Sequence, residues 1–291
     1  LTLSKQLKGY MADTYGICDN YLYLKNVIFK NIDVIKQIKI YPPVKGESKI
    51  IVIYEVPDVT PLPDSGRYLG IDLGLHNLMT CCNVSTGETF IAGRKYLSLC
   101  HYYNKEIARV QSQWHSLQSR KGVKHPKGSK HISRLYEKKN NAINDYLHKV
   151  TRAVVTYCKD NNINTVVIGD IKNIRKDNNL GHAANQKLHA LPYRKLYVML
   201  EYKLSLEGIS FFKQNESYSS QTSPLAPAVD KSHACKSNRV KRGLYADNDA
   251  VWNADCVGAF NIVRLFLKKH KKAVTPDPMA IQSPYILKVA V

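Results

Sequence analysis

The sequence predicts a mixed α/β protein, in which a sheet with flanking helices and an inserted helical hairpin follows a smaller β-rich segment. Short β-like runs recur along the chain, and longer stretches in its middle and last thirds repeat apolar residues at helical spacing. The 291 residues are 44% hydrophobic, which is enough for a sizeable core in one large domain or two smaller ones.

The N-terminal segment, residues 1–66, contains two short β-like runs at residues 38–41 and 49–54. Prolines and a glycine separate the two runs, which is typical of a hairpin with a long loop. The proline-rich residues 56–66 resemble a linker. We therefore expect the end of a small β domain here, followed by a main domain over residues 67–272.

A buried strand with one carboxylate is predicted at residues 68–77, YLGIDLGLHN. Alternate side chains of a strand point to opposite faces, so four apolar side chains share one face and Asp72 shares the other with Gly70 and Gly74. Glycines in a strand often mark the close approach of a ligand, and a buried carboxylate needs a partner, often a metal ion. Alternatively, Asp72 begins the turn of a hairpin, since two further β-like runs follow in a meander.

Residues 98–161 have helical periodicity that is interrupted once, at residues 119–130. We expect two helices here, joined by a positively charged tip. Basic side chains in such a tip suit contacts with phosphate groups, although charged loops are usually only solvated. The candidate phosphate contacts in the tip and the following helix are Arg120, Lys121, Lys124, Lys127, Lys130, Arg134, Lys138 and Lys139.

Strand and helix alternate in the next part of the chain. A strand is predicted at residues 164–171, a helix at residues 191–207, and a second strand at residues 209–214 that leads to Glu216. Residues 217–250 are polar and basic, as in an inserted segment. They add candidate phosphate contacts at Lys236, Arg239, Lys241 and Arg242.

A last helix is predicted at residues 252–270, with a loosely attached tail over residues 273–291. One face of this helix is small and then apolar, as expected for packing on a sheet, and consists of Asp255, Gly258, Ala259, Ile262 and Phe266. Either Asp255 or Asn253 could instead cap the helix. Because Asn253 can cap without Asp255, we favour an inward carboxylate at Asp255.

Two inward carboxylates, Asp72 and Asp255, suggest a magnesium site for phosphoryl chemistry. Magnesium prefers oxygen ligands and often uses one or two carboxylates together with phosphates. Two such ions, about 4 Å apart, can activate water and stabilise a leaving oxygen. A third acid is needed, and the candidates are Glu216 and Asp170, which each end a predicted strand.

The charge balance indicates a polyanionic partner. Lysine and arginine number 43 against 23 acidic residues, a formal net charge of +20, so nucleic acid is the first candidate and an anionic membrane surface the second. The sequence has neither the long uncharged apolar run of a spanning helix nor an N-terminal signal pattern. Its seven cysteines form no CxxC pair, which favours a reducing compartment.

Seven motifs together resemble the OrfB/TnpB family of insertion-sequence transposon proteins, relatives of the type V CRISPR effectors. They occur in the family's order: YLGIDLGLHN, INDYLHKVTR, TVVIGDIKNIRK, NQKLHALPYRKL, ESYSSQTS, NRVKRGLY and NADCVGAFNI. The resemblance implies an RNase H-like (RuvC-type) fold, preceded by part of a β-barrel-like wedge domain. It also implies an RNA-guided DNA endonuclease that uses two Mg²⁺ ions, or Mn²⁺ in their place. The implied partners are a guide RNA from the transposon end and a target DNA.

The catalytic acids of the family map unevenly onto this sequence. Asp72 matches the first catalytic aspartate and Asp255 the last. The usual glutamate position is Gly169 here, so the resemblance assigns the third role to Glu216, as in one branch of the family. Asp170 is the alternative third acid.

The chain departs from the family in two further ways. The cysteine pairs of the family's zinc ribbon are absent between residues 223 and 253, so we expect no zinc site. Most of the N-terminal recognition lobe and wedge domain is also missing, as in a truncated member. The resemblance implies a cytoplasmic, nucleoid-associated prokaryotic nuclease, and the alternatives are a nuclease-inactive RNA-guided DNA-binding repressor or an inactive transposase remnant.

Overall fold

A computed structural model describes residues 34–42, 48–171, 191–241 and 243–290, together with the isolated residues 9, 12 and 13. The predicted phosphate contact Arg242 lies outside these residues, as does part of the motif NQKLHALPYRKL. Contacts within the chain divide it into two compact units, Leu1–Asp58 and Val59–Val291. The domain boundaries that the sequence suggests remain predictions.

The described part of the first unit contains an antiparallel hairpin. Strand β1 (Val34–Ile40) pairs with strand β2 (Ile50–Glu55), with a register shift between Ile35 and Gln37. The exposed side chains of Lys36 and Glu55 form an ion pair at 2.6 Å across the two strands. The hairpin predicted from the two β-like runs is therefore confirmed.

The second unit contains a mixed sheet with helices on both faces and, separate from it, a two-stranded hairpin at residues 244–253. Its strands are β3 (Tyr68–Leu73), β4 (Met79–Asn83), β5 (Thr89–Ala92), β6 (Thr165–Gly169), β7 (Ser210–Gln214), β8 (Leu244–Asp247), β9 (Ala250–Asn253) and β10 (Tyr285–Ile286). Its helices within the described residues are α1 (Tyr96–Arg120), α2 (Lys130–Asp160), α3 (Tyr193–Ser205) and α4 (Ala254–Lys269).

The central strand of the main sheet is β3. The strand order is β10-β5-β4-β3-β6-β7, where β3, β4 and β5 form the antiparallel meander that the sequence predicts. Strands β6 and β7 run parallel to β3, so the C-terminal ends of these three strands lie at one edge of the sheet. We call this the carboxyl edge.

The two faces of β3 belong to two separate cores, as its alternation predicts. Leu69 and Ile71 are fully buried in the larger core, on the side of α2 and α3. Tyr68 is buried in the smaller core, which is built mostly from α4. At Gly70 a β-carbon would overlap the backbone carbonyl of Ala259, so the missing side chain lets α4 lie directly on the strand.

The predicted helical hairpin is formed by α1 and α2. Ser129 caps α2, because its hydroxyl accepts a hydrogen bond from the Ile132 amide at 3.2 Å. The indole of Trp114 donates to the carbonyl of Lys127 at 2.7 Å and so fastens the connecting loop to α1. No helix in the described part of the chain is both long and apolar enough to span a membrane.

The C-terminal segment is more firmly attached than the sequence predicts. Strand β10 pairs in parallel with β5, and Ile281 is buried in the smaller core. Hydrogen bonds from Gln282 to Gly87 and from Leu287 to Ile91, both 2.9 Å, extend this attachment. The short hairpin of β8 and β9 within the polar segment is a second element without a counterpart in the sequence prediction.

Candidate active site

Asp72 lies near the end of β3, at the carboxyl edge, beneath the first turns of α4. A β-carbon at Gly258 would lie 2.7 Å from Asp72 Oδ2, so the helix backbone covers this carboxylate closely. Burial, followed by the charges of Glu216 and Asp255, raises the pKa of Asp72 well above its usual range, while Arg239 acts in the opposite direction. The turn interpretation of Asp72 is therefore wrong, since the residue is paired within the strand.

Asp255 occupies the first turn of α4 and does not cap it. Asn253 caps the helix instead, because its Oδ1 accepts hydrogen bonds from the amides of Asp255 and Cys256 at 3.0 and 3.3 Å. The carboxylate of Asp255 is then free to accept a hydrogen bond from Asn77 Nδ2 at 2.8 Å. Arg94 donates to Asn77 Oδ1 at 2.6 Å, which fixes the orientation of that amide.

Glu216 comes two residues after β7 and reaches back over the neighbouring strand β6. A β-carbon at Gly169 would overlap Glu216 Oε2, so this carboxylate fills the space in which a side chain at position 169 would begin. Burial, and then the charge of Asp170, raises the pKa of Glu216. The glycine at the family's usual glutamate position thus makes room for a glutamate from the next strand.

Asp170 lies beside Glu216, directly after β6. Its amide donates to the carbonyl of Gln214 at 2.7 Å, which continues the pairing of β6 with β7. The Tyr197 hydroxyl donates to the Gly169 carbonyl at 2.7 Å, and burial raises the pKa of Tyr197 to about 12. The charge of Asp170 acts on Glu216, and the charges that raise the pKa of Asp72 include those of Glu216 and Asp255.

A network of backbone contacts holds the loop that carries Glu216. The Ser219 amide donates to the Glu216 carbonyl at 3.0 Å, and Tyr218 between them has a positive φ of 63°. Asn261, fully buried on α4, donates to the carbonyls of Ser219 and Thr222 at 2.8 and 2.7 Å. The same helix that carries Asp255 therefore also fixes the loop of Glu216.

An open cleft of about 480 Å³ adjoins Asp255, the one acidic residue among its described lining residues, and we call it the acidic cleft after that residue. Its lining includes Asp255, Asn77, Arg94 and Arg239, and the Arg239 guanidinium lies 3.9 Å from Asp255 Oδ1. Sequence reasoning missed Asn77 and Arg94 as site residues. Asn77 is the last residue of the motif YLGIDLGLHN, so that motif could have identified it as a site residue. Arg94 lies outside the motifs, and the sequence around it gives no sign of a functional role.

The carboxylates fit a divalent cation in their chemistry. Their oxygens are the kind of ligand that Mg²⁺ prefers, and Mg²⁺ commonly binds through one or two carboxylates, with water and phosphate completing its shell. A bound cation would also offset the repulsion between the buried carboxylate of Asp72 and the charges of Glu216 and Asp255. Within the described ranges no three acidic, histidine or cysteine side chains lie close enough together to hold one ion.

The predicted phosphate contacts are placed in two regions of the surface. Most of those in the α1–α2 hairpin are exposed, while Lys139 is half-buried and donates to Asn104 at 2.6 Å. Lys236, Arg239 and Lys241 are exposed before β8, and Arg239 alone of the three lines the acidic cleft. All of these contacts remain predictions, as does the expected lack of zinc.

The matches to known families agree with the family resemblance inferred from the motifs. Residues 51–175 match the OrfB_IS605 family, described as probable transposases, and residues 193–262 match the TNB domain of Cas12f1-like proteins. No curated protein sequence shows significant similarity to the chain.

Solved structures with a similar fold include two Cas12f complexes. A Cas12f1–sgRNA–target DNA complex matches with a TM-score of 0.56 and 17% identity over 77% of this chain and 44% of that one. A CRISPR-Cas12f ternary complex matches with a TM-score of 0.52 and 17% identity over 82% of this chain and 46% of that one. The chain thus spans less than half the length of these relatives.

The mixed sheet with flanking helices agrees with the RuvC-like fold of the Cas12f structures, so the predicted fold class is confirmed. The resemblance drawn from the motifs is confirmed as well, since the two family matches together span most of them, apart from residues 176–192 between the matches. The chain thus has a RuvC-like fold, and two of its segments match the OrfB_IS605 probable transposases and the TNB domain of Cas12f1-like proteins.

Proposed function

We propose that this chain is the nuclease part of an RNA-guided DNA endonuclease of the TnpB type, which hydrolyses phosphodiester bonds with Asp72, Glu216 and Asp255. The observation that carries the proposal is the meeting of three chain segments at the carboxyl edge. There the charges of Glu216 and Asp255 both act on Asp72, and Glu216 fills the space above Gly169.

Two Mg²⁺ ions bound by these acids would supply an activated water and stabilise the leaving 3′ oxygen. Within the chain, β3 holds Asp72 and α4 holds Asp255, and the helix lies directly against the strand. Asn77 holds one oxygen of Asp255 by a hydrogen bond, and Arg94 fixes the Asn77 amide. Arg239 adds a positive charge at the cleft, where it can bind a phosphate of the strand that is cut.

The partners proposed for this chain are a guide RNA and a target DNA. The support comes from the Cas12f1 relative, which was solved with sgRNA and target DNA, and from the net charge of +20. In such systems base pairing to the guide selects the sequence, and the protein contacts mainly the phosphate backbone.

Cleavage assays on the chain co-expressed with RNA from its transposon end test this function. A labelled DNA that matches the guide is incubated with Mg²⁺ and compared with an unmatched DNA. We expect cleavage of the matched DNA alone, and we expect Asp72→Asn, Glu216→Gln and Asp255→Asn each to lower the rate at least about 100-fold. Asp249→Asn, an exposed acid before β9, is the matched control and keeps the parental rate.

The third acid is tested by the pair Glu216→Gln and Asp170→Asn. We expect only the first to abolish cleavage, because Glu216 fills the space above Gly169 and its charge raises the pKa of Asp72. Loss of activity in Asp170→Asn alone would refute the choice of Glu216. RNA-dependent DNA binding without any cleavage would refute the nuclease and identify an RNA-guided DNA-binding protein instead.

A further inference from the structure

The C-terminal segment reaches the carboxyl edge of the sheet. Because β10 runs parallel to β5, the residues after Ile286 emerge at the same end as the residues after Ala92. The first charged residue after β5 is Arg94, which lines the acidic cleft. The tail therefore brings its last residues towards the candidate active site.

The side chains of this segment alternate between the core and the solvent. Leu287 and Val289 pack against the larger core, and the Leu287 amide donates to the Ile91 carbonyl at 2.9 Å. Lys288 between them is exposed. Since the two apolar neighbours anchor the backbone on either side, the position of Lys288 is determined by the fold.

A second cavity, of about 310 Å³, lies between the tail and the residues after β5. Residues 286–290 line it on one side and Arg94, Lys95 and Tyr146 on the other. The Lys95 amide donates to the Tyr146 hydroxyl at 3.2 Å, which fixes this wall to α2. Arg94 lines both this cavity and the acidic cleft, so the two spaces are neighbours.

We propose that Arg94, Lys95 and Lys288 form a phosphate-binding subsite that holds the backbone of a DNA strand as it leaves the acidic cleft. The proposal rests on the proposed function, which places a DNA strand in that cleft. Three basic residues line a cavity that residues 286–290 close on one side, and no acidic residue lines that cavity among the described residues. Its contacts are made to phosphate groups and are independent of base sequence.

Binding without cleavage tests this subsite separately from the nuclease. The probe is a fluorescent 20-nucleotide single-stranded DNA, and its affinity is measured by anisotropy in EDTA over a series of salt concentrations. For Lys95→Ala with Lys288→Ala we expect affinity to fall about two- to fivefold for each lysine. The slope of log affinity against log salt should also fall by about 0.7 for each lost contact.

Lys269→Ala is the matched control for a general loss of charge. Lys269 is exposed at the far end of α4, about 21 Å along the helix axis from Asp255. We expect this variant to bind as the parent does. An equal weakening by Lys269→Ala, or an unchanged slope in the double variant, would overturn the subsite.

Lysine acetylation with mass-spectrometric detection gives a second measure that needs no substitution. Bound DNA should slow the acetylation of Lys95 and Lys288 several-fold relative to that of Lys269. Equal rates with and without DNA would also overturn the proposal. A chain that never cuts DNA can still pass both tests, and a chain that cuts can still fail them.

Discussion

Gly258 is the point at which α4 approaches the carboxylate of Asp72, and it tolerates no side chain. In most exposed helix positions Gly→Ala stabilises a protein, by up to about 1 kcal/mol. Here we expect Gly258→Ala to destabilise the fold by about 1–3 kcal/mol, because the new β-carbon lies 2.7 Å from Asp72 Oδ2 and must displace the carboxylate or the helix. Urea unfolding measures the change.

Gly128→Ala is the control for that substitution, since a β-carbon at Gly128 meets no atom within 4 Å. This variant should unfold at the parental urea concentration. If Gly258→Ala were as stable as the parent and as active in cleavage, the close cover of Asp72 by α4 would have no importance.

Asn77 orients Asp255, so its removal should affect activity more than stability. We expect Asn77→Ala to lower the cleavage rate about 10- to 100-fold, as is typical when a residue that positions a metal ligand is lost. The loss of its hydrogen bonds to Asp255 and Arg94 should cost about 1 kcal/mol of unfolding free energy for each bond. Cleavage rates over a series of Mg²⁺ concentrations measure the first effect.

The Mg²⁺ series also separates positioning from a general structural role. A positioning role requires that more Mg²⁺ be needed for half-maximal cleavage by Asn77→Ala. A uniform drop in rate at every Mg²⁺ concentration would contradict it. Asn104→Ala, on the exposed face of the α1–α2 hairpin, serves as the control.

At the scale of residues, local patterns predicted orientation but not partnership. Strand alternation placed Asp72 on the inner face, and helical spacing did the same for Asp255. Asn77 lies in the first motif, but its contact with Arg94 escaped prediction because the two residues meet only after a turn and the end of β5 are brought together. A hydrogen bond between such distant side chains leaves no periodic pattern in the sequence.

Lys203 lies between helices α3 and α2, and its charge should destabilise their packing at neutral pH. The side chain is 4% exposed, and its ammonium donates to His148 O and Thr151 Oγ1 at 2.8 and 2.7 Å. Burial, with a contribution from Arg152, lowers the pKa of Lys203 from 10.5 to about 8. The unfolded chain therefore binds more protons than the folded one between about pH 8 and 10.5, and stability should rise with pH across this window.

The difference in unfolding free energy between Lys203→Met and the parent should change sign with pH. The pKa difference corresponds to about 3 kcal/mol at pH 7, and the loss of two hydrogen bonds offsets about 2 kcal/mol of it, so Lys203→Met should be about 1 kcal/mol more stable than the parent. By pH 10 the penalty of the charge falls to about 1 kcal/mol, and the variant should become the less stable protein. Urea unfolding at the two pH values measures both differences.

Lys195→Met provides the comparison, because Lys195 is exposed on the same helix. Its stability relative to the parent should not depend on pH in this range. The assignment of the effect to burial of Lys203 would be wrong if the two variants had the same pH dependence.

At the scale of elements, the sequence predicted those whose pattern is complete within the element. The α1–α2 hairpin, the β3–β5 meander and helix α4 all lie within a few residues of their predicted positions. Strand β10 has only two residues, and it exists because Phe90 and Ile91, far earlier in the chain, offer it a free sheet edge. Nothing within two residues can indicate such a pairing.

The net charge of the whole molecule predicts that its binding to nucleic acid depends steeply on salt. Contacts with six to ten phosphates correspond to a loss of about 10³- to 10⁵-fold in affinity for duplex DNA between 50 and 200 mM salt. Anisotropy titrations with two unrelated DNA sequences measure this, and both should give the same slope. A slope near zero would exclude phosphate contacts as the main source of affinity, and unfolding in the same buffers controls for loss of structure.

Gly169 and Glu216 have a consequence for how proteins of this kind are compared. An alignment that examines one column at a time would read Gly169 as the loss of an acid and classify the chain as defective. The volume above that glycine is nevertheless filled by a carboxylate, tethered to the adjacent strand. Because one volume cannot hold two side chains, acids at the two positions exclude each other. Relatives are better compared by where a charge sits in space than by the position from which it is attached.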